Sequence, residues 1–495
     1  MRQIHNDSVR GQQILLLSKQ LQEINQERRN LAHRLEELDV QAEAVNRKIA
    51  TLHNLDAPIS ILSDEMLAVI FRASVDVEGS SRFIEVLSHV SHRWRNILLD
   101  TPSLWANLCF PEERMGWKDT KLGWKDRAVT YLSRSKSTPV KIHIHLLRER
   151  DPDLDFFDAI GSHMGHCSQL YIDWRISDNY FQALLGSLLC RAVPILTSFT
   201  FAITEIAVRN QQEQLFPFGA PALTTVELDG ITSNCRLLRS ISVFSSLSSL
   251  RIFKITFHDR ENYEQLRDGL MSLRSLRYLE LGLDRLRRRP EDLKLKPIIL
   301  PSIQVLRISN HDFYLSQGES PIPQILACIQ AISLMTISLK WYRGEHRLFR
   351  QHEINFPSLL HLSLADVPNH EVPDLMDLSY TFPDIERFTW HVSAPQNPCD
   401  ILVRILRHVD GSADQSRWPR LHTVEISTSI QAAYDPMLLS MILELQRPTH
   451  PVKKLRVPGC FFDTAVPEIL ATLRELVELE VFRDDWSPPF EGMWC

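Results

Sequence analysis

Apolar residues recur at alternating steps of three and four near the start of the chain: Ile14, Leu17, Leu21, Ile24, Leu31, Leu35, Leu38, Ala42, Val45, Ile49 and Leu52. Neither Pro nor Gly interrupts residues 12–57. With Ile14 as heptad position a, these residues fill a and d, and Arg28 is the one break, at a. So narrow a stripe is a coiled-coil seam, which predicts a helix over 1–56 that needs a partner. Two partners fit. One is a second copy, giving a parallel homodimer through residues 14–52 with Arg34 (g) facing Asp39 (e); the other is the following domain of the same chain.

The pattern changes at Pro58, which stops the helix. Over 57–108 the apolar positions come in short groups at helical spacing: Met66, Leu67, Ile70 and Phe71 behind a candidate N-cap, Ser63, then Phe83, Leu87, Val90, Trp94 and Leu98. Thr101-Pro102-Ser103 breaks the chain before Leu104-Trp105. A module of about 50 residues buries little core by itself, so its stripes are expected to be completed by a neighbour.

A third pattern fills the rest. Residues 1, 4 and 6 of a short unit are apolar in Leu223-x-x-Val226-x-Leu228, Leu250-x-x-Phe253-x-Ile255, Leu276-x-x-Leu279-x-Leu281 and Ile303-x-x-Leu306-x-Ile308. The pattern recurs from Leu334, Leu359, Ile385, Leu421, Val452 and Leu476, and upstream from Leu196, Cys167 and Pro139, at a mean step of about 28 residues. A Pro stands two residues ahead of several units, as at Pro221, Pro301, Pro357, Pro383 and Pro419. This period marks a leucine-rich-repeat-like array over 137–486, with 109–136 as connector and 487–495 as tail. The expected fold is an α/β solenoid with a parallel sheet, preceded by a small all-α module and a coiled-coil helix. The longer steps imply loop insertions around 311–323 and 394–418.

In such a sheet positions 3, 5 and 7 face the concave side. The four central position-5 residues, Glu227, Lys254, Glu280 and Arg307, alternate in sign. That is either a self-satisfied charge ladder or a target-reading stripe. Position 3 contributes Ile252, Tyr278, Val305, His361 and Arg387. Tyr278, His361 and Arg387 join the charged four as candidate target contacts, unless an inserted loop covers them.

Composition removes other classes. The 495-residue chain is 44% apolar and 23% charged with net charge −6, which calls for neither nucleic acid nor an anionic membrane. Eight scattered cysteines without C-x-x-C suit a reducing compartment and offer no zinc ribbon. No apolar run has the length to span a bilayer, so a cytoplasmic or nuclear location is expected. His163, His166 and Cys167 lie close in sequence, but Cys167 falls at a core position, so no metal site is expected. Arg285-Leu286-Arg287-Arg288-Arg289-Pro290 reads as a solvated loop. No phosphate loop or hydrolase motif occurs, so neither catalysis nor a cofactor is expected.

The stretch Ala57-Pro58-Ile59-Ser60-Ile61-Leu62-Ser63-Asp64-Glu65-Met66-Leu67, followed by Ile70-Phe71, Val90-Ser91-His92-Arg93-Trp94-Arg95 and Thr101-Pro102-Ser103-Leu104-Trp105, resembles an F-box. It is most similar to fungal F-box-like proteins, which carry a heptad helix just upstream. Those families have Leu-Pro where this chain has Leu62-Ser63. The resemblance implies a non-catalytic substrate-recognition subunit of an SCF-type cullin-RING ubiquitin ligase. Its module would bind a Skp-type adaptor and its repeats a protein target. It also implies adaptor contacts or module core at Pro58, Ile61, Leu62, Glu65, Leu67, Ile70, Phe71, Val90, Trp94, Leu98 and Trp105, with Trp94 expected in the core and Ile61-Leu62 at the adaptor. The alternative is a scaffold without a ligase, in which the module only caps the repeats.

Overall fold

A computed structural model describes residues 2–56, 58–78, 81–110, 123–146, 154–174, 184–203, 215–230, 241, 243–257, 260–286, 295–310, 322–340, 356–365, 375–391, 418–427, 452–483 and 490. Of the expected insertions around 311–323 and 394–418, all but residues 322, 323 and 418 lie outside these, as do the basic residues 287–290 and the tail 487–495 apart from 490. The chain forms two compact units, 1–76 and 77–495.

The first unit holds α1 (Arg2–Asp56), a 3-10 turn at Pro58–Ile61 and most of α2 (Asp64–Glu78). Along α1 the seam is exposed, with Leu17 at 61% and Ile49 at 48% of full accessibility, so the residues of its own unit do not bury it. Ser63 starts α2 as expected: its Oγ accepts the Met66 N–H at 3.4 Å.

The second unit is an α/β solenoid. Among the described residues its parallel sheet has fourteen strands: β1 (Asn107–Phe110), β2 (Val140–Leu146), β3 (Cys167–Trp174), β4 (Ser198–Ile203), β5 (Thr225–Asp229), β6 (Ser249–Phe257), β7 (Tyr278–Leu286), β9 (Val305–Asn310), β11 (Thr336–Lys340), β12 (His361–Ala365), β13 (Arg387–His391), β14 (Thr423–Ile426), β15 (Lys454–Val457) and β16 (Glu478–Val481). Two short pieces, β8 (Ile298–Ile299) and β10 (Ile329–Gln330), pair separately. Each sheet strand bonds to the next in chain order, the topology of stacked repeats. Positions 1, 4 and 6 form the core; Leu223, Val226, Leu228, Ile303, Leu306 and Ile308 are all fully buried.

A tight turn introduces many of the strands. The Leu223 N–H donates to Ala220 O, Leu359 to Phe356 O and Leu421 to Trp418 O, at 3.1, 3.1 and 3.2 Å. Pro221, Pro357 and Pro419 occupy the second turn position, where a fixed φ helps and no donor is required.

The sheet begins upstream of the expected boundary at 137. β1 pairs in register with β2, Leu108 beside Ile142. The helices α3 (Ser81–Val90) and α4 (His92–Leu99), the turn Pro102–Trp105 and α5 (Gly123–Ser135) pack around it. Residues 81–108, expected to belong to a separate module, are therefore built onto the first strand of the array.

Candidate protein-binding surfaces

Two surfaces carry the chemistry. The first is α2, whose apolar residues divide between two faces. Leu67, Phe71 and Val75, four apart, are buried at 0%, 2% and 6% exposure. Met66, Val69 and Ile70 lie on the opposite side and are exposed, with Ile59 and Ile61 beside them in sequence; Ile61 is 86% exposed. Pro58 and Glu65 are exposed and Leu62 is half-buried. Glu65 has its carboxyl held below the usual range by hydrogen bonds from Ser63 and its own backbone N–H. Sequence reasoning missed Met66 and Val69 as surface residues, although their i, i+3 spacing was visible.

The remaining expected adaptor residues fall in the second unit. Val90 is exposed, while Leu98 and Trp105 are buried. Trp94 is half-buried, which corrects its expected core role. The core tryptophan is Trp105, at 1% exposure: its Nε1 donates to Leu98 O at 2.7 Å, Tyr131 meets it edge-on at 4.8 Å, and the Arg134 guanidinium lies 4.4 Å from its ring centre. Position in the chain decides the difference. Trp105 ends the turn that leads through Ala106 into β1 and so enters the repeat core, whereas Trp94 lies in the first turn of α4, its N–H held by the Ser91 cap.

The second surface is the position-5 row of the sheet. In register it runs Tyr171, Thr200, Glu227, Arg251, Glu280, Arg307, Ser338, Ser363, Thr389, Glu425, Arg456, Glu480. Arg251 stands where Lys254 was expected. The apolar run Leu250, Ile252, Phe253, Ile255 fits two phases, and the backbone selects Leu247-x-x-Leu250-x-Ile252, with Val226 paired to Leu250. Ile252, expected on the concave side, is accordingly core. Lys254 sits at a register shift with φ of 56° and pairs with Asp229 at 2.9 Å. A signal for this phase was present in position 2. The hydroxyls of Ser168, Thr197, Thr224 and Ser248 each donate to the carbonyl of the preceding unit, and only the observed phase continues that run.

The charges of the row pair with one another. Arg251 reaches Glu227 at 3.3 Å and Glu280 at 2.8 Å; Arg307 reaches Glu280 at 3.5 Å; the Tyr278 hydroxyl donates to Glu280 at 3.2 Å. Burial raises the Glu227 pKa against the pull of Arg251. Tyr278 and Glu280, expected on an open face, are only 8% and 4% exposed.

A second cluster lies toward the last strands. Glu425 is fully buried and accepts from Thr389 Oγ1 at 2.7 Å, Arg387 Nη2 at 2.7 Å and Arg456 Nη1 at 2.8 Å. Thr389 donates its one proton to Glu425, so at 2.7 Å it accepts from His361 Nε2. His361, expected at the surface, is 9% exposed and has its pKa pushed down to about 3 by burial, with Arg387 and His391 adding to it. Lys454 and Arg456 hold Glu480 down to about 2 through hydrogen bonds. A cavity of ≈ 500 Å³ opens here, lined by His361, Glu386, Arg387, His422, Lys454, Arg456 and others.

Among the described residues no group of histidine, cysteine and carboxylates is placed to hold a metal. Cys167 is buried and its thiol is pushed up to about 12 by burial, so it is a poor thiolate ligand. No described helix is long and apolar enough to cross a membrane.

No protein-family model matches this sequence, and no curated protein matches it significantly. A crystal structure of the Rad7 and Elc1 complex in yeast aligns over 89% of this chain and 96% of that chain, with 13% identity and a TM-score of 0.25. At so low a TM-score the alignment carries no inference about this chain.

Proposed function

We propose that this chain is a non-catalytic receptor of an SCF-type ubiquitin ligase: it docks a Skp-type adaptor through α2 and holds a protein target on its repeats. The observation that supports this best is the exposed apolar face Met66, Val69 and Ile70 of α2, with Ile59 and Ile61 exposed in the turn just before it, all within the segment that resembles an F-box. An apolar face of that kind on a short helix is the form of a helix-docking interface. The chain would supply position rather than chemistry, holding the target within reach of a charged conjugating enzyme. Ile61→Asp is the test, because so exposed a residue can change without unfolding the chain. Full-length protein co-expressed with a Skp-type adaptor should co-elute with it in size-exclusion chromatography, and the variant should not. A folded wild-type chain that ignores the adaptor overturns the ligase reading.

The scaffold reading has its own support: α3 and the Pro102–Trp105 turn pack on β1, and the same turn packs on α5, as a cap would. It becomes the preferred account if the adaptor fails to bind.

We also propose that α1 pairs with a second copy, parallel and in register. Arg34 then meets Asp39 of the other copy. Arg28, at a, enters a hole whose preceding g residue is Glu27, so two symmetric Arg28–Glu27 pairs offset the cost of a charge in the seam. An antiparallel pairing of the same seam sets Arg34 against itself, which disfavours it.

A further inference from the structure

Phe490 follows the end of β16 by nine residues (Val481 to Phe490), yet it sits on β6 and β7. In the order β7-β9-β11-β12-β13-β14-β15-β16 this is seven strands back along the sheet. Its ring centre lies 4.1 Å from the Arg251 guanidinium carbon and 5.5 Å from the Tyr278 ring centre, the two rings meeting at 69°. Phe490 is 5% exposed, and Tyr278 beneath it is only 8% exposed. These are the geometries of cation–π and edge-to-face contact.

The platform is held independently of the phenylalanine. Arg251 is fixed between Glu227 and Glu280, and the Tyr278 hydroxyl is tied to Glu280. A guanidinium immobilised by two carboxylates presents its flat face at no further ordering cost, which makes the patch a rigid seat for an aromatic ring. Its Arg251 belongs to the position-5 row, on the side of the sheet where repeat arrays receive partners.

We propose that the Arg251–Tyr278 patch is a docking site for an extended protein segment presenting an aromatic side chain, and that Phe490 occupies it within the chain until such a partner displaces it. The proposal deepens the target-holding part of the function above and does not depend on adaptor binding.

The test uses the full-length chain and a dye-labelled peptide of residues 484–494, read by fluorescence polarisation. Phe490→Ala vacates the seat and should bind the peptide at least about tenfold more tightly than wild type, since the tethered ring competes at millimolar effective concentration. The same peptide with its phenylalanine replaced by alanine should bind Phe490→Ala about tenfold more weakly, as should the original peptide to Arg251→Ala/Phe490→Ala. Phe490→Trp, which keeps the seat filled, should behave as wild type. Circular dichroism must show each variant folded. Equal peptide binding by folded wild type and Phe490→Ala, or indifference to the peptide's phenylalanine, overturns the proposal. The assay contains no adaptor, so failure of the ligase reading leaves its outcome standing.

Discussion

Glu425 has no exposed surface and takes hydrogen bonds from a threonine and two arginines. Removing it takes a buried acceptor from two guanidinium groups that reach solvent only in part, although Arg456 keeps Glu480 at 2.9 Å. Glu425→Ala should therefore cost about 2 kcal/mol in chemical denaturation, less than a wholly buried pair because Arg387 and Arg456 keep some hydration. Its neighbour His361 makes a pH prediction. The folded pKa is about 3, and the free side chain titrates near 6.5. Below about pH 6.5 the unfolded chain binds a proton that the folded chain refuses. The contribution is complete above that pH and is lost as pH falls toward 3, by at most about 1.4 kcal/mol per unit. His361→Gln keeps a donor without titrating, so from pH 7 to 5 wild type should lose stability faster than the variant. Parallel curves would sink the idea. Neither residue was legible as buried. Sequence places both on the concave side, and only the side chains of neighbouring strands, Arg387, Thr389 and Arg456 among them, close over them.

Helix α2 and strand β6 show how far a pattern specifies an element. The apolar cluster Met66, Leu67, Ile70 and Phe71 predicts a helix, and one forms with Ser63 as its cap. Which half of the cluster is buried depends on what lies against it, and periodicity does not contain that. In β6 the apolar residues Leu250, Ile252, Phe253 and Ile255, broken by Arg251 and Lys254, permit two phases, and the ladder hydrogen bonds choose between them. The long helix α1 makes the element-scale prediction. Light scattering after size exclusion should give about twice the chain mass of 57.3 kDa. Leu35→Asp should yield the monomer, with unfolding of the repeat array unchanged. Glu27→Lys should weaken the pair, and Glu27→Lys/Arg28→Glu should recover it by restoring opposite charges across the seam. A wild-type monomer at tens of micromolar rejects the homodimer.

At the scale of the whole chain, adaptor binding and the stability of the repeat array are tested by different residues. Ile61→Asp should abolish adaptor binding and leave the midpoint of thermal unfolding within about a degree, because an exposed substitution costs almost nothing. Trp105→Ala should do the reverse. It empties a fully buried site at the first strand and should cost about 3–5 kcal/mol, measured by denaturation. If Ile61→Asp unfolds the array, the α2 face is structural and the docking assignment is wrong. The repeat period, the parallel solenoid and the cap at Ser63 follow from sequence alone, because local chemistry and spacing suffice for them: a 1-4-6 apolar unit can bury itself only by stacking on its own kind. Arg251 in place of Lys254, the burial of His361 and the seat of Phe490 on Tyr278 were decided by tertiary structure. Each depends on strand pairing or a long-range contact between residues far apart in the chain, and a one-dimensional pattern holds no record of either.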